Sequence, residues 1–176
     1  RQGRLDEAVE LARRRLELTK NLRRPDFKEL ALSEWTLADM LASTGEHDQS
    51  ETLFRSALDG LRREFGPRHI EVAKCQRDLG LMLKDSGRLD EAEPLLREAL
   101  DIQRATLPAG DVDIGATLVF LGWTLTEIGK VDDAEPLLHE ALDIRLKVLP
   151  QAHWLINNAK SVLGGCLAGL GKFAEA

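Results

Sequence analysis

The segment GRLDEAEPLLREALDIQRATLP, from Gly87 to Pro108, sets the organisation of this chain because it returns almost unchanged. The second copy is GKVDDAEPLLHEALDIRLKVLP, Gly129 to Pro150, and fourteen of its 22 positions are identical to the first. The copies lie 42 residues apart, and this offset falls on a glycine each time it is applied, at Gly3, Gly45, Gly87, Gly129 and Gly171. A fixed period of about 20–50 residues is the signature of a stacked repeat array.

Each period begins with an amphipathic helix pattern that follows the glycine. A small residue is followed by leucines three and eight positions later, and this spacing predicts one apolar helix face. The pattern stops before prolines such as Pro67 and Pro108, which break helices. The predicted core columns are Ala8, Ser50, Ala92 and Ala134, then Leu11, Leu53, Leu95 and Leu137, then Leu16, Leu58, Leu100 and Leu142.

A second helix pattern fills the rest of each period. Its leucine columns are Leu37, Leu79, Leu121 and Leu163, and one turn later Leu41, Leu83, Leu125 and Leu167. Between them lies a small-residue column, Ala38, Gly80, Gly122 and Gly164. Glycine inside a helix costs up to about 1 kcal/mol relative to alanine. A column of small residues that recurs despite this loss of helix stability predicts close approach of a neighbouring helix. The glycine that begins the next period is predicted to cap the end of this second helix.

The sequence therefore predicts an all-α protein built from antiparallel helix hairpins, without strands, because no segment alternates with period two. The expected domain organisation is a single array over residues 1–176: the second helix of a first repeat, three complete repeats and a partial last one. We also expect a longer parent protein, since the chain starts at Arg1 in mid-pattern. The predicted helices span 4–22, 27–43, 47–64, 69–85, 89–106, 111–127, 131–148 and 153–169, with a further one from 172.

Composition argues against several classes of partner. The net charge is −6 and charges of both signs alternate, so neither nucleic acid nor an anionic membrane is expected as a partner. No apolar run approaches the roughly 20 residues that span a bilayer, and no export leader is visible. Two cysteines are too few for a disulfide framework and indicate a reducing, cytoplasmic setting. Arginine outnumbers lysine 16 to 8 and tyrosine is absent, which suggests a bacterial source.

No arrangement typical of an enzyme or a cofactor site is visible. The glycines and the lysine within 164–172 lack the spacing and the Ser/Thr of a phosphate-binding loop. The adjacent carboxylates of Asp132 and Asp133 belong to a repeated, solvated helix start. The four histidines lack the i, i+4 spacing of a helical metal site, and they are His47, His69, His139 and His153. We expect no catalytic residue, no metal and no cofactor.

The repeat pattern resembles the tetratricopeptide repeat (TPR) family, in the 42-residue form of kinesin light chains and of many bacterial signalling proteins. The resemblance rests on DEAEPLLREAL at Asp90–Leu100 and on small residues at the family's packing positions, and it covers the whole chain. It implies a right-handed superhelix whose helices of the second pattern, here called the groove helices, line a concave surface for protein partners. Small residues at these packing positions are Gly80, Gly122, Gly164, Ala92 and Ala134.

Two ligand classes of the family are not carried over. Kinesin light chains have paired asparagines in the middle of each groove helix, and chaperone-binding members use asparagine and lysine to hold a carboxylate. In this chain neither asparagine pattern is present. The positions that match the paired asparagines hold Trp35-Thr36, Arg77-Asp78, Val119-Phe120 and Ser161-Val162.

A helical projection places a mixed aromatic and charged set opposite the leucine columns of the groove helices. Aromatic residues and arginine are over-represented at binding hot spots. We therefore predict a groove for a protein or peptide that is apolar and acidic, with packing of Trp35 and Trp123 against adjacent helices as the alternative. The predicted groove residues are Trp35, Asp39, Lys74, Arg77, Asp78, Phe120, Trp123 and Asn158.

The resulting functional prediction is a protein-interaction module that presents a preformed surface without catalysis. The alternative is a structural or regulatory spacer that positions a neighbouring catalytic domain, such as a kinase or an NTPase. Leucine-rich faces at the two ends of the array also allow self-association.

Overall fold

The computed structural model describes residues 2–21 and 26–171, and within them the backbone forms eight helices and no strand. No helix in this part of the chain has the length and apolar character needed to cross a membrane. The helices are α1 (Gln2–Lys20), α2 (Phe27–Thr44), α3 (His47–Phe65), α4 (Ile70–Asp85), α5 (Leu89–Thr106), α6 (Val112–Ile128), α7 (Val131–Val148) and α8 (Trp154–Gly169).

The predicted all-α class is confirmed, and the helix bounds agree with the prediction to within two residues. The groove helices are α2, α4, α6 and α8. The predicted helix from residue 172 lies outside the described residues, as do Pro25 and Lys172.

The chain divides into two compact units, residues 1–82 and 83–176, and the boundary falls inside α4. In the first unit, α2 packs against both α1 and α3. In the second unit, α6 packs against α5, α7 and α8. Because short loops join consecutive helices that also touch, the pairs form antiparallel hairpins.

The leucine columns of the groove helices form the core, as predicted. Leu41, Leu79, Leu83 and Leu125 are completely inaccessible to solvent. In the small-residue column Ala38 is likewise buried, and Gly122 lies directly against α7. A Cβ atom added at Gly122 would lie 2.5 Å from Cγ of Leu138. The predicted close approach of a neighbouring helix is therefore confirmed at Gly122.

One predicted core column was placed one residue early. Leu11 is 68% exposed, and Leu53, Leu95 and Leu137 are only half-buried. The fully buried column is the next one, Phe54, Leu96 and Leu138. Leu53 packs at the edge of a cluster on α1 and α2 that includes Leu16 and Leu37. The helical projection could not separate two adjacent faces of this kind.

Repeat glycines end the groove helices, as predicted. Gly45 has φ 85° and Gly129 has φ 90°, in the left-handed region that glycine adopts without steric cost. The residue after each glycine donates its N–H back into the helix, Glu46 to the carbonyl of Leu41 at 3.0 Å and Lys130 to that of Leu125 at 2.8 Å. This pattern satisfies carbonyls that a helix end otherwise leaves without a partner.

Polar side chains begin the groove helices. Asp26 and Asp111 cap α2 and α6 by accepting backbone N–H bonds from Glu29 and Asp113 at 3.0 and 2.8 Å. At the equivalent position of α8, Nδ1 of His153 accepts from the N–H of Leu155 at 3.3 Å. Histidine thus takes the role of aspartate at this cap.

Candidate functional site

The predicted groove residues fall on both units. The first unit carries Trp35 and Asp39 on α2, and Lys74, Arg77 and Asp78 on α4; the second carries Phe120 and Trp123 on α6, and Asn158 on α8.

In the first unit, Trp35, Arg77 and Asp78 form one hydrogen-bonded group across α2 and α4. The indole Nε1–H of Trp35 donates to Oδ2 of Asp78 at 3.0 Å. The other oxygen of Asp78, Oδ1, accepts from Nε of Arg77 at 3.0 Å, and the side chains of Asp78 and Arg77 are only 20% and 15% exposed. Both oxygens of Asp78 are thus engaged, which fixes the indole ring and places a cation beside the aspartate.

A pocket of about 440 Å³ opens beside this group, and we call it the indole pocket. It is lined by Arg15, Leu32, Trp35, Thr36, Asp39 and Asp78. The guanidinium of Arg15 forms an ion pair with Glu29. The hydroxyl of Thr36 donates to the carbonyl of Leu32 at 2.8 Å, so its oxygen can still accept a hydrogen bond.

Asp39 is the carboxylate of the pocket that has no ion pair. Among the described residues its side chain accepts no hydrogen bond and lies within ion-pair distance of no cation, although the residue keeps access to solvent. Burial raises the pKa of Asp39, the nearby carboxylate of Asp78 raises it further, and the charge of Arg77 opposes both effects. The ionised form of Asp39 is therefore less favourable in the folded chain than in water.

Lys74 lies against a carboxylate of its own helix. Its ammonium lies 3.5 Å from Oε1 of Glu71, one turn earlier on α4. Both cations that the sequence pointed to, Lys74 and Arg77, therefore lie against a carboxylate of their own helix. The positive charge offered to a partner is reduced accordingly.

In the second unit, Trp123 carries a cation on its ring. Nζ of Lys84 lies 3.4 Å from the ring centroid, and the Lys84 side chain is only 5% exposed. Asp85 and Glu127 lie 3.0 and 3.9 Å from the same ammonium. A desolvated cation–π contact of this kind is worth about 2 kcal/mol. It holds Trp123 in one orientation, with the residue half-buried.

The second unit exposes less of the predicted surface than expected. Phe120 is half-buried, but its neighbour Val119, in the middle of the same groove helix, is completely buried. Since α6 contacts three helices of its unit, its exposed arc is narrower than the projection assumed.

Asn158 is engaged by an arginine from the preceding helix. Nη1 of Arg145 donates to Oδ1 of Asn158 at 3.1 Å and also to the backbone carbonyl of Leu155. Arg145 is 2% exposed, and burial lowers its pKa. The contact ties α7 to the first turns of α8, so Asn158 has a structural partner within its own unit.

Three cations that shape these surfaces were not singled out in the sequence: Arg15, Lys84 and Arg145. One signal was available for Arg15, because the same position is alanine in the following repeats, and Ala57, Ala99 and Ala141 are all fully buried. A charged residue in a buried alanine column marks a local departure from the repeat. No comparable feature of the sequence points to Lys84.

The described residues offer no cluster of histidine, cysteine or acidic side chains that is arranged to hold a metal ion. Both cysteines are buried thiols without a disulfide. The chemistry of the described groove surface is thus that of aromatic rings, paired charges and one unpaired carboxylate.

Helix hairpins repeated every 42 residues, with small packing residues and glycine caps, define a helical repeat protein. The sequence model of the tetratricopeptide repeat matches residues 29–105 and 86–147, which together make up more than half of the chain. The chain belongs to the tetratricopeptide repeat family. The comparison with curated proteins finds no match.

Solved structures share this fold at low sequence identity. BtubC (BKLC) from P. vanneervenii superposes with a TM-score of 0.86 at 21% identity, over 99% of this chain and 70% of that one. A putative kinesin light chain with nearly identical TPR-like repeats, from Podosopora anserina, gives a TM-score of 0.79 at 23% identity, over 99% of this chain and 82% of that one. MamA MSR-1 C2 gives 0.62 at 23%, over the same shares. These likenesses establish the fold and its resemblance to kinesin-light-chain repeats.

Proposed function

We propose that this chain is a non-catalytic protein-interaction module that holds a peptide or protein segment against its groove helices. The observation that carries the proposal is that the half-buried tryptophans of these helices are held in place by polar partners, Trp35 by Asp78 and Trp123 by Lys84. Aromatic side chains that are ordered before binding lose little conformational freedom when a partner arrives. Such residues are also over-represented at binding hot spots.

The family supports a more specific form of the proposal, in which the groove helices line one concave surface. A partner would lie there as an extended segment or as a helix. The two reduced, buried cysteines support a reducing compartment such as the cytoplasm.

The chemistry of the partner is supported unevenly. Its apolar part has direct support from Trp35, Phe120 and Trp123, which all keep part of their surface accessible. The predicted acidic part relied on Lys74 and Arg77, which lie against Glu71 and Asp78. An acidic partner residue stays a prediction that binding data must test.

The test is selection of short peptides from a random display library, followed by dissociation constants for individual peptides. Trp35→Ala and Trp123→Ala should each weaken binding of the selected peptides by about tenfold or more, as hot-spot truncations do. Leu18→Ala is the matched control, because Leu18 is an equally apolar residue that is 64% exposed on α1. Circular dichroism verifies that each variant is folded.

Peptides that bind all three variants as tightly as the parent chain would refute the groove, and failure to select any peptide would favour the spacer alternative. Sedimentation at several concentrations accompanies the assay because the exposed Leu11 and Leu18 could support the predicted self-association. A strictly monomeric profile would remove that part of the prediction.

A further inference from the structure

The indole pocket of the first unit has the size and the mixture of surfaces of a side-chain binding site. Its volume of about 440 Å³ lies within the roughly 300–1,000 Å³ of ligand pockets. Trp35 and Leu32 provide apolar wall, Thr36 provides an acceptor oxygen, and Asp39 and Asp78 provide carboxylates. The indole ring cannot turn away without losing its 3.0 Å hydrogen bond to Asp78.

The charges around the pocket are paired with one exception. Arg77 is bonded to Asp78, and Arg15 is ion-paired with Glu29, so each of these cations has a carboxylate beside it. Asp39 alone among the charged lining residues lies in no ion pair within the described structure. Burial is the main cause of the raised pKa of Asp39, the negative charge of Asp78 raises this pKa further, and the positive charge of Arg77 opposes both. An incoming cation would relieve this repulsion, and an incoming anion would increase it.

We propose that the indole pocket binds the basic side chain of a lysine or arginine in the peptide partner, with Asp39 as its charge partner and Trp35 as its apolar wall. The aliphatic stem of such a side chain packs on the indole face while its charged end meets the carboxylate. The hydroxyl oxygen of Thr36 accepts a further hydrogen bond from the ammonium or guanidinium. The proposal rests on the proposed interaction function and names one residue class of the partner.

The test uses small probes whose chemistry differs only at the end of the side chain. The ¹⁵N-labelled chain is titrated with the N-acetyl methylamides of lysine, arginine, norleucine and glutamate, and the indole N–H signals are followed. The chain has three tryptophans, so a Trp35→Phe variant identifies the signal of Trp35. This N–H is a direct reporter because it donates to Asp78 inside the pocket.

We expect the lysine and arginine probes to shift the Trp35 signal with about fivefold higher affinity than norleucine, and glutamate to bind most weakly. Asp39→Asn should reduce the preference for lysine over norleucine to about one. Asp101→Asn is the charge-matched control, since Asp101 is exposed on α5 in the other unit, and it should leave the preference unchanged. Added salt should weaken lysine binding and leave norleucine binding unchanged.

Three results would overturn the assignment: norleucine or glutamate binding at least as tightly as lysine, an unchanged lysine preference in Asp39→Asn, or no response of Trp35 to any probe. The peptide selection separates this outcome from failure of the interaction function. Selected peptides that require Trp123 but ignore Asp39 would contradict the basic-residue pocket and leave the interaction module standing.

Discussion

Replacement of Gly122 by alanine should destabilise the second unit, although alanine is the better helix former. The added methyl would lie 2.5 Å from Cγ and 2.6 Å from Cδ2 of Leu138, much closer than carbon atoms approach without repulsion. Leu138 has no solvent-exposed surface into which it could move. Overpacking of this kind costs about 1–3 kcal/mol. Because the contact is so short and Leu138 is enclosed, we expect a cost in the upper part of this range, about 2–3 kcal/mol. The gain in helix propensity offsets about 1 kcal/mol, so a net loss of about 1–2 kcal/mol is expected.

Gly165→Ala is the matched control within the same unit. Gly165 also lies inside a helix, α8, but a Cβ atom there would meet nothing within 4 Å. Only the propensity effect applies, so this variant should gain about 0.5–1 kcal/mol. The two substitutions are chemically identical and are expected to have opposite signs.

Urea unfolding followed by circular dichroism measures both variants. With a slope of about 2 kcal/mol per molar urea, the midpoint should fall by about 0.5–1 M for Gly122→Ala and rise slightly for Gly165→Ala. Hydrogen exchange localises the effect, since amides of α6 and α7 should exchange faster while those of α2 and α3 stay unchanged. If Gly122→Ala stabilised the chain as Gly165→Ala does, the explanation of the small-residue column by close helix approach would be wrong.

The remaining predictions concern the polar groups of the first unit and the thiols. Trp35→Phe removes the hydrogen bond to Asp78 and should cost about 1–2 kcal/mol in urea unfolding, without changing helix content; an unchanged midpoint would show that water replaces the bond at no cost. The folded-state pKa of Asp39 is raised, so its ionised form opposes folding at neutral pH, and this penalty disappears as pH falls through that pKa. Asp39→Asn should therefore raise the urea midpoint at neutral pH and leave it unchanged in acid, below the ordinary pKa of aspartate at about 3.9; equal effects under both conditions would contradict the assignment. Cys75 and Cys166 are completely buried, and burial raises the pKa of the Cys75 thiol. Neither thiol should therefore react with a disulfide reagent until the chain is unfolded. Rapid labelling of the folded chain would refute their burial.

The fold could be read from the sequence because each structural role is repeated in register. Several copies of one column average out individual substitutions, and the helix bounds follow from recurring prolines and from glycines such as Gly45 and Gly129. The exception was the column of Leu11 and Leu53, because periodicity alone cannot tell which of two adjacent apolar faces, such as those of Leu53 and Phe54, is fully buried. Both faces are apolar at helical spacing, and only the packing of neighbours distinguishes them.

The candidate site was less predictable because it depends on which of several neighbours a long side chain reaches. The projection selected Arg77 as an exposed anchor, whereas the structure places its guanidinium against Asp78. It placed Trp123 on the groove face, with packing against adjacent helices as the alternative, and did not show that the ammonium of Lys84 lies over the ring. Each outcome is a competition between side-chain rotamers of similar reach, which hydrophobic periodicity does not encode.

The distance along the chain nevertheless limits which partners a side chain can reach, because stacked repeats bring the same pairs of repeat positions together again. On the groove helices, Trp35 bonds to Asp78 and Lys84 pairs with Glu127, and each pair is 43 residues apart, one period plus one. Between α1 and α3, Arg13 bonds to Gln49, and between α5 and α7, Arg104 bonds to Glu140; each pair is 36 residues apart.

Within each unit these recurring separations are what a regular stack requires, since neighbouring hairpins there meet in the same register. A residue that departs from its column therefore meets a partner whose position is known in advance. Two such departures line the indole pocket. Arg15 occupies a position that is alanine in the following repeats, and Trp35 lies one period plus one residue before Asp78. At such positions one repeat differs from the other repeats of the same chain, and we expect the partner to be recognised there.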